Sequence, residues 1–136
     1  MINADAQTPD RRRVLVVEDE AAVQASLAAF LTHHGFSTLR AASVDEVLSA
    51  LNGVRVDAVT LDIHIPDESG LNRSGFAVLQ AMRLMPLYER VPVVIFTGIQ
   101  LPSKDEDHAR SLGAVIVQKP LSYKAVLDCL NELSAN

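Results

Sequence analysis

Apolar runs that are typical of buried strands alternate with amphipathic patterns that are typical of helices along the whole chain. The strand-like runs cover residues 13–19, 36–42, 56–62, 91–98 and 114–120. Patterns with apolar residues at helical spacing cover 21–35, 43–51, 75–85, 102–112 and 123–133. Strict alternation of this kind predicts an α/β domain, in which a parallel five-stranded sheet carries helices on both faces.

Composition narrows the class of protein. The 136 residues are enough for one domain, and we predict a disordered tail over 1–12 followed by a single folded domain over 13–136. The net charge of −5 argues against nonspecific nucleic-acid binding, and Arg11–Arg13 is interpreted as a solvated approach to the first strand. The sequence contains no membrane-length apolar run and no secretory signal, so we expect a cytoplasmic protein. The one cysteine, Cys129, is expected to be buried and inert.

Polar residues stand where four of the predicted strands end. They are Glu18 and Asp19, Asp62, Thr97 and Lys119. The carboxyl ends of parallel strands meet at one edge of the sheet, and this edge is where open α/β sheets bind ligands. We therefore expect these five side chains to form one site.

The chemistry of such a site follows from its residue types. Neighbouring carboxylates repel each other. A bound Mg²⁺ relieves that repulsion and still has coordination positions for phosphate oxygens. A carboxylate can also act as a nucleophile and form an aspartyl phosphate, whose oxygens Lys119 and Thr97 would contact. Each residue has a simpler alternative as a helix cap, a loop residue, a strand end or a surface lysine. All of these alternatives would have to hold at once, which favours the site.

Four motifs carry a resemblance to a known family. VVEDE, LDIHIP, VIFTG and QKP stand at the ends of the first, third, fourth and fifth predicted strands. With these motifs, residues 13–133 resemble the receiver domain of two-component response regulators. The resemblance implies a flavodoxin-like (βα)5 fold with the strand order 2-1-3-4-5.

The resemblance also implies a role for each site residue. Asp62 matches the phosphoacceptor, Thr97 the switch hydroxyl, and Lys119, which Pro120 follows, the lysine that contacts the phosphoryl group. The Mg²⁺ site it implies has the carboxylates of Asp19 and Asp62 and the backbone carbonyl of His64 as direct ligands, with Glu18 holding the ion through a water molecule.

The chain departs from the family pattern in several places. Ile116 stands where the family usually has an aromatic switch residue, so we expect the coupling between this position and Thr97 to differ from the family's. Ile99 and His64 occupy positions that tune phosphate loss in the family, although His64 can equally be an ordinary loop residue. Histidines 33 and 34 are explained by the helix C-terminus on which they fall, rather than by phosphotransfer.

The loop after Asp62 is longer than the family pattern. Gly70 stands where the family's glycine normally comes, and Leu71–Gly75 add five residues before the next helix. We expect this loop to be mobile and partly over the site. A tolerated surface insertion is favoured over a partner contact or a modified gate.

These features predict a signalling receiver rather than a conventional enzyme. It would take a phosphoryl group from a histidine kinase or phosphotransfer protein and control a downstream effector protein or output domain, with no nucleic-acid or membrane contact of its own. Because the chain ends at Asn136, we expect a stand-alone or an excised receiver.

The alternative is an interaction module that keeps the fold but does not use phosphate. A flavodoxin-like nucleotide binder would need a neutral phosphate loop in place of the acids after the first strand. An aspartate-nucleophile phosphatase would need an acid at position 64.

Overall fold

All ten predicted elements are present, in the predicted order. The computed structural model describes residues 12–63, 75–98, 101–118 and 123–134. The elements are β1 (Arg13–Val17), α1 (Ala21–His33), β2 (Ser37–Ala41), α2 (Val44–Leu51), β3 (Ala58–Leu61), α3 (Gly75–Arg83), β4 (Val93–Thr97), α4 (Ser103–Ser111), β5 (Ala114–Gln118) and α5 (Tyr123–Ser134). The folded domain predicted to begin at residue 13 thus starts with β1. Apart from Arg12, the predicted tail lies outside the described residues.

The five strands form one parallel sheet in the order β2-β1-β3-β4-β5, which confirms the order that the resemblance implied. Strands β1, β3 and β4 lie inside the sheet and are almost continuously apolar and buried, as strands covered on both faces must be. Strand β2 lies at the edge, where its Arg40 is exposed. The weaker hydrophobic pattern over 36–42 therefore reflects an edge position.

Alternate residues of the strands enter two separate hydrophobic cores. On one face, Leu15 and Val17 of β1 pack with apolar residues of α2, α3 and α4. On the other face, Val14 and Val16 pack with residues of α1 and α5. The sheet is thus held from both sides, and its strand ends are kept in fixed register.

Local signals fix the ends of the helices. The hydroxyl of Ser43 accepts a hydrogen bond from the N–H of Glu46 at 3.2 Å, and the Glu46 carboxylate accepts one from the N–H of Ala42 at 2.9 Å. Gly35 follows the end of α1 with φ +95°, a conformation that costs glycine little. No helix in the described parts of the chain is both long enough and apolar enough to cross a membrane.

The side chains of Arg83 and Tyr88 brace the edge of the sheet where the strands begin. Arg83 donates hydrogen bonds to the carbonyl oxygens of Leu112 at 2.7 Å and Val91 at 2.8 Å, and burial lowers the pKa of its guanidinium. The hydroxyl of Tyr88 donates to the carbonyl oxygen of Val54 at 2.7 Å. These bonds tie the connection between α3 and β4 to its neighbours, at the edge opposite the candidate site.

Candidate functional site

The acidic residues after β1 and β3 lie side by side because these two strands are neighbours. The register pairs Val17 with Leu61, and the N–H of Asp62 donates to the carbonyl oxygen of Val17 at 3.0 Å. The N–H of Glu18 donates to the carbonyl oxygen of Ala41, at the end of β2, also at 3.0 Å. The sheet hydrogen bonding therefore continues for one residue beyond the strands and fixes the backbone of both acids.

Glu18, Asp19 and Asp62 form what we call the acid cluster. One carboxylate oxygen from each lies within 4.8 Å of the others. Glu18 is 3% exposed and Asp62 7% exposed, whereas Asp19 reaches the solvent. The sequence placed these three residues at one site, and the structure brings them together.

The acid cluster is chemically suited to a hard divalent cation. At 4.8 Å, two carboxylates repel each other by roughly 3.5 kcal/mol for an effective dielectric constant of about 20. A cation that prefers oxygen ligands attracts each carboxylate and so outweighs their mutual repulsion. The exposed Asp19 leaves the solvent side of the cluster open to water or phosphate. The donor set therefore fits Mg²⁺.

The proposed capping role of the acids has limited support. Glu20 is the N-cap of α1, and its side chain makes no capping hydrogen bond. Its N–H donates to a carboxylate oxygen of Glu18 at 3.3 Å. Glu18 thus assists the helix start while remaining in the acid cluster, so the two interpretations are compatible.

Thr97 lies at the same edge of the sheet. It is the last residue of β4 and is 1% exposed. Strand β4 is the neighbour of β3, and the register pairs Leu61 with Ile95. By this register Asp62 is level with Phe96. Thr97 therefore lies one residue beyond the level of Asp62.

Gly75 returns the chain to the tip of β3. Its N–H donates to the carbonyl oxygen of Ile63 at 3.0 Å. A Cβ at this position would lie 2.6 Å from the Cα of Ile63 and 2.7 Å from the carbonyl oxygen of Asp62, so only glycine fits without displacement. Sequence reasoning treated Gly75 as the last inserted residue. Its close contact with the backbone of Asp62 was missed, because sequence spacing does not reveal it.

Several predicted features lie outside the described residues. These are the insertion up to Ser74, together with His64, Ile99, Lys119 and Pro120. Their roles stay predictions.

The aromatic residues near Thr97 lie on the face of the sheet opposite to that of Ile116. Ile116 is half-buried and packs against the core that α2, α3 and α4 cover. On the other face, Phe96 contacts Tyr123 edge-on, with ring centroids 6.0 Å apart, and Tyr123 contacts Phe30 of α1 at 5.7 Å. Sequence reasoning missed this contact, although Phe96 adjoins Thr97 in the chain.

Two remaining predictions can be compared with the structure. The Nδ1 atom of His34 lies 2.9 Å from the carbonyl oxygen of Phe30, as expected for a histidine at a helix C-terminus. The prediction that Cys129 is buried was wrong, since the residue is only partly buried. It lies at the border between the buried and the solvent-exposed sides of α5. Partial burial, Glu132 and Asp128 nevertheless raise the pKa of its thiol, which disfavours the reactive thiolate.

The family model described as "Response regulator receiver domain" matches residues 14–131. The phosphate regulon transcriptional regulatory protein PhoB of Klebsiella pneumoniae is 31% identical over 119 residues, which are 85% of this chain and 48% of that protein. The regulatory protein VirG of Agrobacterium tumefaciens is 27% identical over 117 residues, which are 85% of this chain and 41% of that protein. The chain thus spans a little under half the length of these relatives.

Solved structures share the fold at lower identity. The chemotaxis protein CheY4 of Vibrio cholerae superposes with a TM-score of 0.78 at 23% identity, covering 90% of this chain and 98% of that one. The receiver domain of sensor histidine kinase PA1611 of Pseudomonas aeruginosa superposes with a TM-score of 0.79 at 21% identity, covering 93% and 99%. That structure has a magnesium ion coordinated in its active-site cleft.

Proposed function

Because the chain belongs to the response regulator receiver domain family, a family of signalling domains, we propose that it accepts a phosphoryl group on Asp62. The donor is the phosphohistidine of a histidine kinase or of a phosphotransfer protein. One observation carries the proposal: the Asp62 carboxylate lies beside two further carboxylates at the tips of neighbouring strands, all within 4.8 Å.

The reaction is a transfer between two nucleophiles. A carboxylate oxygen of Asp62 attacks the phosphorus atom, and an O–P bond forms while the N–P bond of phosphohistidine breaks. The imidazole nitrogen keeps the electron pair and takes a proton from water. The signal ends by hydrolysis of the aspartyl phosphate. Water attacks the same phosphorus atom, which restores the carboxylate and releases inorganic phosphate.

The residues around Asp62 hold it for this attack. Its backbone is fixed by the hydrogen bond to Val17 and by the contact with Gly75. Burial to 7% exposure removes most of the water that would otherwise surround the carboxylate. We assign to Thr97 a hydrogen bond donated to one phosphoryl oxygen and to Lys119 a charge contact with another.

Magnesium is the cofactor that this proposal requires. Glu18, Asp19 and Asp62 would hold it with their carboxylates, and His64 with its backbone carbonyl. When bound, Mg²⁺ supplies positive charge that offsets the repulsion between the acids and an incoming phosphoryl group. The magnesium ion in the related receiver structure from Pseudomonas aeruginosa supports this choice of metal.

We further propose that the aspartyl phosphate shifts the domain between two conformations and so controls a partner protein in the cytoplasm. The surface formed by α4, β5 and α5 would carry the change. Helix α4 supports this assignment because it has nine residues, of which only Ala109 is buried. The partner is either a separate effector or an output domain. PhoB, a relative of about twice this length, is named a transcriptional regulator.

Phosphorylation by a small donor tests the proposal. The protein is incubated with Mg²⁺ and acetyl phosphate, and intact mass spectrometry then counts the phosphoryl groups. We expect one group on the wild type and on Asp57→Asn, a control variant with the same charge change beyond the other end of β3, and none on Asp62→Asn. An unmodified wild type, or an Asp62→Asn variant modified to the same extent, would overturn the proposal.

A further inference from the structure

The side chain of Gln24 connects the tips of two strands at the acid cluster. Its Nε2 group donates hydrogen bonds to the carbonyl oxygen of Glu18 at 3.0 Å and to that of Ala41 at 3.1 Å. The amide nitrogen has two hydrogens, so each carbonyl can receive its own hydrogen bond. Gln24 is half-buried, unlike its exposed neighbours Ala25 and Ser26. It therefore spans β1, β2 and α1 at the point where the acids begin.

The hydrogen bond from Gln24 to the Glu18 carbonyl acts on the backbone between two residues of the acid cluster. This carbonyl belongs to the peptide unit that joins Glu18 to Asp19, and a peptide unit is planar. Fixing its oxygen therefore fixes the direction in which the chain leaves Glu18 and the base from which the Asp19 side chain extends. The N–H of Glu18 is already bonded to Ala41 at 3.0 Å, so Gln24 closes a ring of hydrogen bonds around the residue.

The location of Gln24 on its helix explains how it reaches this point. It is the fourth residue of α1, and its N–H donates to the carbonyl oxygen of Glu20 at 2.9 Å. A side chain in the first turn of a helix extends back toward the N-terminus, which here is the end nearest the acid cluster. The first turn of α1 thus presents a donor to the strand tips without supplying a metal ligand itself.

We propose that Gln24 is a positioning residue for the cation site of the acid cluster, an inference that rests on the proposed function. Mutual repulsion pushes the three carboxylates apart, and Gln24 holds the peptide between Glu18 and Asp19 against that displacement. Without this contact, a bound cation must order the peptide itself, and the ordering cost weakens binding. Loss of a residue that orients metal ligands typically lowers the metal affinity about 10- to 100-fold. Because Gln24 acts through the backbone, we expect an effect at the lower end, about tenfold.

Calorimetric titration of the cation-free protein with Mg²⁺ alone tests the proposal. Gln24→Met keeps the length of the side chain and removes the donor, while Gln80→Met makes the same change at an exposed position of α3 as a matched control. We expect the dissociation constant for Mg²⁺ to rise about tenfold in Gln24→Met and to stay within twofold in Gln80→Met. Gln24→Asn, whose amide is one carbon too short, is expected to weaken binding in the same direction and serves if Gln24→Met fails to fold.

The outcomes separate this inference from the proposed function. If Gln24 only fastened α1 to the sheet, its loss would lower the unfolding free energy equally with and without Mg²⁺ and leave the dissociation constant unchanged. Unchanged Mg²⁺ affinity in folded Gln24→Met or Gln24→Asn therefore overturns the positioning role while the metal site stands. Failure of the wild type to bind Mg²⁺ overturns the metal site and the positioning role together.

Discussion

Replacing Asp62 by asparagine removes one negative charge from the acid cluster while keeping the shape of the side chain. In the absence of a divalent cation, we expect this change to stabilise the fold. Glu18 and Asp62 are both nearly inaccessible to solvent, and their carboxylates lie within 4.8 Å of each other. The folded state therefore holds the two charges together, whereas the unfolded chain separates them.

The size of the effect follows from that distance. At a separation of 4.8 Å, the pair repels by roughly 3.5 kcal/mol for an effective dielectric constant of about 20. Other interactions of Asp62 offset part of this repulsion, and the exposed Asp19 adds little to it because water screens its charge. We expect a net gain in unfolding free energy of about 1–2 kcal/mol.

Urea unfolding in EDTA measures this gain. Asp57→Asn is the matched control, since it removes the same one negative charge from the net −5, and its carboxylate accepts a hydrogen bond from the N–H of Arg13 at 2.8 Å. We expect that variant to be neutral or slightly less stable. In Mg²⁺ the wild type should gain about 1.4 kcal/mol at ten times its dissociation constant, and Asp62→Asn less. Equal or lower stability of Asp62→Asn in EDTA, or an equal gain in Asp57→Asn, would refute the electrostatic reasoning.

Three further predictions concern residues near the site or on the same sheet. Thr60 is 1% exposed, and its hydroxyl finds no hydrogen-bond partner within the described residues. Thr60→Val should therefore raise the unfolding free energy, measured in urea, by about 1 kcal/mol. A lower unfolding free energy would show that the hydroxyl is hydrogen-bonded. Gly75→Ala should cost about 1–3 kcal/mol and weaken Mg²⁺ binding, because its Cβ would overlap the backbone of Ile63; wild-type behaviour in both measurements would contradict the close contact. Because the pKa of Cys129 is raised above its ordinary value of 9.0, alkylation by iodoacetamide at pH 8 should be slower in the folded protein than in urea. The same shift makes stability fall as pH rises through the raised pKa, since the unfolded thiol loses its proton first; equal alkylation rates in both states would contradict the shift.

The order of the elements could be predicted from the sequence because buried parallel strands and amphipathic helices leave different periodic patterns. The acid cluster could be predicted as well, since parallel strands bring their carboxyl ends to one edge whatever the details of packing. The strand order came from family resemblance, because hydrophobic pattern alone does not say which strand pairs with which.

Contacts between distant chain segments were beyond the reach of sequence reasoning. Gln24 looks like any polar residue on a helix surface, and its two acceptors lie 6 and 17 residues away in the chain. Gly75 looks like an ordinary loop glycine, because only the folded backbone shows how close Ile63 comes. In both cases the deciding quantity is a distance that depends on the packing of a helix against strand tips.

The hydrogen bond between Gly75 and Ile63 closes a ring in the chain after β3, because it holds the two ends of the segment 64–74 at one point. For such a ring, the entropic cost of extra residues grows only with the logarithm of its length. Going from six residues to the eleven at positions 64–74 costs about 0.5 kcal/mol by that relation. Residues can therefore be added to this segment or exchanged in it at little cost in free energy, while the backbone of Asp62 and Ile63 at its base keeps its position.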